Sequence, residues 1–144
     1  MTPNAAGKGI AALFKNGKIT AVEVLAAERW YRDYALGVHG VFDAEGAGSG
    51  GGDAHTAGFA RAKAKQAYDA ACAAVGAFGA DVLQRLVVDD CSLSGIGDAL
   101  GLNPHVACGV AVASLRRVAE HYASLDAVIT GRSRGEILRA DFSA

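Results

Sequence analysis

Ser92-Leu93-Ser94-Gly95-Ile96-Gly97-Asp98-Ala99-Leu100-Gly101-Leu102-Asn103-Pro104 is the stretch on which the fold turns. Ser92 suits an N-cap, because its hydroxyl can accept from an amide one turn later. Ile96 and Leu100 then share one face of a short helix, and Gly97 is small where a second helix would approach. Gly101 suits the left-handed backbone of a tight turn. Asn103 caps the next helix, and Pro104 takes its first position, where a missing N–H costs nothing. A helix, a tight turn and a longer helix are the layout of a helix-turn-helix. An ordinary αα-hairpin shows the same pattern, and the residues alone leave both open. The second helix is expected to end at Ala123 or Ser124.

Helical periodicity extends in both directions. Upstream, Val82, Leu83, Leu86 and Val87 predict a helix ending near Asp89-Asp90. Val87-Val88 could pass for a strand, but no second strand is present to pair with it. Thr56 to Val75 reads as a long helix broken by Gly76 and Gly79. Before it, residues 43–55 hold Gly48-Ser49-Gly50-Gly51-Gly52 and read as a flexible linker. A phosphate-binding loop would need a preceding strand and a following Lys-Ser/Thr, and neither is there. Thr20 and Glu23 form a capping box for a helix carrying Val22, Leu25, Ala26, Trp30, Tyr34 and Ala35, ending near Gly37. Ile10, Leu13 and Phe14 mark a short first helix closed by Asn16-Gly17. Residues 126–144 read as a weakly ordered tail. The sequence therefore predicts an all-α fold, five to six helices around one core, in a single domain spanning 1–144.

Composition agrees. Hydrophobic residues at 51% and charged residues at 20% argue against general disorder. A net charge of -1 gives no global basic field to attract nucleic acid. Three cysteines without a CxxC pair, and no apolar h-region from Met1 to Ile10, suggest a reducing, cytoplasmic setting. The longest apolar stretch, Val106 to Ala113, is too short to span a bilayer.

Two blocks carry a resemblance. One is Ile19-Thr20 through Ala27-Glu28-Arg29-Trp30-Tyr31-Arg32-Asp33-Tyr34. The other is Leu83 through Cys91, then Gly101-Leu102 and Leu115-Arg116-Arg117-Val118-Ala119-Glu120-His121-Tyr122. In these the chain resembles an uncharacterised alphaproteobacterial family of small helical, helix-turn-helix-like domains. Its members occur in gene-transfer-agent activators and antiterminator-type proteins, and its layout is related to sigma-factor region four. The resemblance implies transcription-linked work in phage-derived gene clusters, with docking on DNA, RNA polymerase or a partner regulator. It implies no catalytic residue.

The candidate contact residues are Arg29 and Arg32 on the Trp30 helix, Arg61, Lys63 and Lys65 on the next long helix, and His105, Arg116 and Arg117 on the last. From Pro104 to Ala113 only His105 offers a side-chain donor for reading bases, so weak and unspecific DNA binding is expected. Each arginine pair also reads as an ordinary solvated helix face. His105 and Cys108 are spaced for shared metal ligation, but Cys72, Cys91 and Cys108 read as small buried hydrophobes. No metal, cofactor or enzymatic activity is expected. Val106, Val110, Val112 and Ala113 leave the last helix apolar on nearly every side, which implies burial or a partner. A homodimer or obligate complex through this helix or the Trp30 helix is expected. The alternative function is a helical interaction or oligomerisation module that never touches nucleic acid.

Overall fold

A computed structural model describes residues 7–40 and 54–143, with side chains described for 7–40 and 57–128. Every regular element among the described residues is helical. Six helices follow in order: α1 (Gly7–Lys15), α2 (Ala21–Tyr34), α3 (Ala54–Val75), α4 (Ala77–Leu83), α5 (Leu93–Leu100) and α6 (Pro104–Ser143). Two of them continue into a π-helical turn: α2 through Ala35–His39 and α4 through Gln84–Val88. The Gly-rich linker expected at 43–55 lies outside the described side chains, and its centre lies outside the described residues altogether.

Local chemistry sets the helix ends. The Glu23 carboxylate accepts from the Thr20 amide at 2.6 Å and from its hydroxyl at 2.7 Å, starting α2. Gly40, with φ at 69°, closes the π-helical turn behind α2. Ser92 Oγ accepts from the Gly95 amide, and Asn103 Oδ1 accepts from the Val106 amide, both at 2.9 Å. Between those two caps, Gly101 turns the chain with φ at 72°. Leu102 then donates back to the Gly97 carbonyl at 2.7 Å. Asp90 performs a cap across the fold: its Oδ1 accepts from the Lys8 amide at 2.8 Å and holds down the start of α1.

The last helix differs from expectation in length. It passes Ala123 and Ser124 without a break and runs to Ser143. No residue from Ser124 to Ser143 is a proline, so no missing amide stops it there.

Helix α6 is the centre of the molecule, since α2, α3, α4 and α5 all pack against it. Ala107, Ala111, Ser114, Leu115, Val118, Ala119 and Tyr122 are its buried stripe, at i, i+4, i+7, i+8 spacing. Ala26, Ala27 and Trp30 of α2, Ala71 of α3, Val82 and Leu83 of α4, Leu86 and Val87 of its π turn, and Ile96 of α5 close over the stripe. Ile10 and Leu13 of α1 seal the end near Leu86. The domain covers only one face of α6. Val106 and Ala113 stay exposed, and Val110 and Val112 are half-buried. Among the described residues no single helix is long and apolar enough to cross a membrane.

Candidate protein-docking face

Helices α2 and α6 lie side by side and run in the same direction. Arg29 of α2 bonds Asp126 of α6, with its Nη1 3.1 Å from Oδ2. One end further back, Arg116 of α6 acts on Glu23 of α2. Partial burial works against the Glu23 charge. The Thr20 hydrogen bonds and Arg116 outweigh it and hold the carboxyl below the ordinary glutamate range.

Beside the Arg29–Asp126 pair lies a shallow groove of about 240 Å³. Val22 and Leu25 form its ridge on α2. Ala26, Ala119, Ala123 and the Tyr122 ring form the floor. Val22 is 61% exposed and Leu25 is 64% exposed. The 3.6-residue pattern placed both with Trp30 in one apolar sector. In the fold that sector splits: Ala26, Ala27 and Trp30 turn into the core, while Val22 and Leu25 are left outside. The Arg29 guanidinium lies 4.2 Å above the Tyr122 ring centre, a cation–π contact that walls one end of the groove. Tyr122 is deeply buried, and burial together with nearby Asp33 pushes its phenol up. Its hydroxyl and Trp30 Nε1 meet no hydrogen-bond partner among the described residues.

A second cluster sits where α2, α3 and the two π turns meet. Trp30, Tyr34 and Tyr68 pack ring to ring, with centroids 5.3 to 6.3 Å apart. His39 meets Tyr34 edge-on, and His39 Nε2 is 2.8 Å from the Tyr34 hydroxyl. Gln84 links the Tyr34 and Tyr68 hydroxyls at 3.5 and 3.4 Å. Each π turn supplies one polar member, His39 from the first and Gln84 from the second. Sequence reading missed both, because nothing in the residue pattern marks a π turn. Such turns recur at functional positions. Here all these contacts are internal and fix the α2–α3 crossing.

The basic candidates are scattered. Arg29 contacts Asp126 and the Tyr122 ring of its own chain while staying partly exposed. Arg32 is exposed one turn on. Lys65 pairs with Asp69 at 2.8 Å on its own helix. Arg61 lies with its guanidinium against Gly40, and Lys63 points outward. Arg116 is exposed, with its charge felt at Glu23, whereas Arg117 lines a different hollow beside Val75 and Phe78. His105 is exposed at the start of α6. The eight side chains sit on three helices, and of them only Arg29 lines the groove. No group of three or more metal-ligating side chains comes together among the described residues.

Comparison with protein-family models, curated proteins and solved structures finds no match to this chain.

Proposed function

We propose that this chain is a helical protein-interaction module whose docking face is the α2–α6 groove. The observation that carries the reading is the ridge of Val22 and Leu25 standing exposed beside a floor of alanines. Burying such side chains is worth roughly 1.5–3 kcal/mol each, so a partner that covers them gains substantially. Small residues in the floor let an incoming helix approach closely, as in helix-in-groove recognition.

Charge argues against base reading by α5 and the first turns of α6. From Ala77 to Ala113 the chain carries Asp81, Asp89, Asp90 and Asp98 against one arginine, Arg85. That balance repels phosphates, whose neutralisation supplies most nonspecific DNA affinity. The test places a photo-crosslinking amino acid at position 25, with position 18 as the exposed control, in the cells that make the protein. A discrete adduct at 25 and none at 18 is expected. Absence of any adduct at 25 would sink the reading.

A second reading is a transcription-associated regulator, activator or antiterminator in type. The layout of α5, the Gly101 turn and α6 favours it, since this is the order of a helix-turn-helix. The groove would then receive RNA polymerase or a partner regulator, and DNA contact would stay weak. Recovery of a transcription protein as the adduct at position 25 would favour this reading over the first.

A further inference from the structure

We infer that the occupant of the groove is a second copy of this chain, joined about a two-fold axis parallel to α2 and α6. The inference rests on the interaction reading above and deepens it. The charges along the two helices alternate in sign. Arg29 on α2 and Asp126 on α6 line one end of the groove as an ion pair, and toward the start of α2 Glu23 feels the opposite charge of Arg116 on α6. A two-fold axis along the helices lays α2 of each copy over α6 of the other, running the same way. Glu23 then meets the partner subunit's Arg116, and Arg29 meets the partner subunit's Asp126. The ridge of Val22 and Leu25 drops onto the partner subunit's Ala119 and the partner subunit's Ala123. Large side chains face small ones and every charge faces its opposite.

An axis across the helices gives a poorer fit. It sets α2 on α2, so ridge meets ridge and the alanine floors face each other across a gap. Close packing selects the parallel arrangement.

The test uses two surface variants of the full chain. Arg29→Glu alone places like charges together at Asp126, and Asp126→Arg alone does the same at Arg29. Each homodimer is expected to weaken at least about tenfold by light scattering over a wide concentration range. Mixed in equal amounts, the two variants are expected to pair with each other and regain the association of the parent. Circular dichroism checks that each variant is folded. Val22→Glu, which spoils the ridge, is expected to stay monomeric in every mixture. A parent that is monomeric at all concentrations overturns the proposal, and so does a mixture that fails to recover. A monomeric parent whose position-25 adduct is a different protein overturns the dimer and leaves the interaction reading standing.

Discussion

Asp33 is half-buried next to two arginines, and burial wins. It pushes the carboxyl up despite the opposing pull of Arg29 and Arg32. The folded-state value lies above the unfolded one, so the protonated form is the one the fold prefers. Its stabilising contribution is complete below the unfolded carboxylate range and is lost as pH rises through the folded value. Asp33→Asn is therefore expected to stabilise the protein at neutral pH, by less than about 1 kcal/mol given solvent screening. The gain should disappear in acid. Urea unfolding at both pH values checks this, and a loss of stability at neutral pH would show that the arginine contacts dominate. Tyr122 tests another kind of burial. Its ring carries Arg29, but its hydroxyl meets no partner among the described residues. Tyr122→Phe keeps the ring and removes an unsatisfied group, so stability is expected to hold or to rise by up to about 1 kcal/mol. A clear fall in the unfolding midpoint would mean that the hydroxyl is bonded.

At the scale of elements, two backbones approach closely where the π turn behind α2 crosses α3. A methyl built on Gly37 would lie 2.5 Å from the Lys65 amide nitrogen and 2.7 Å from its Cα. Those are backbone atoms, so the helices must separate. Gly37→Ala is expected to cost about 1–3 kcal/mol. Gly58→Ala on the same α3 meets nothing within 4 Å and should gain roughly 0.5–1 kcal/mol from helix propensity. Thermal unfolding of the pair separates packing from propensity, and equal effects would refute the crossing. The capped helix ends were legible in the sequence because caps are local: Thr20–Glu23, Ser92, Gly101 and Asn103 each act within one turn, whereas the uncapped far end of α6 was not legible. The groove was not legible. Whether Val22 and Leu25 are inside depends on which neighbour arrives beside α2, and that neighbour is α6, nearly a hundred residues away. The π turns were hidden for a similar reason, since packing fixes them and composition does not. Asp90 illustrates both points: its acid was visible, but its role as a cap for α1 lies 82 residues distant.

For the molecule as a whole, a net charge of -1 predicts little attraction for nucleic acid. Duplex DNA of any sequence is expected to bind weakly, with affinity falling steeply from about 50 to 200 mM salt. His105→Ala should change nothing in a fluorescence titration, since one exposed histidine cannot discriminate bases. Tight binding that survives high salt would contradict this. The order in which the core is assembled has a consequence in time. The helix that α2, α3, α4 and α5 share is made after all four of them. A ribosome adding about 5–20 residues per second releases the earlier helices well before α6 emerges. During that interval Trp30, Leu83 and Leu86 have no hub to close on, and the nascent chain is open to proteases and chaperones. A stop codon placed just before Pro104 should therefore yield soluble-fraction losses far larger than the missing mass, because it removes the keel and not merely a flank.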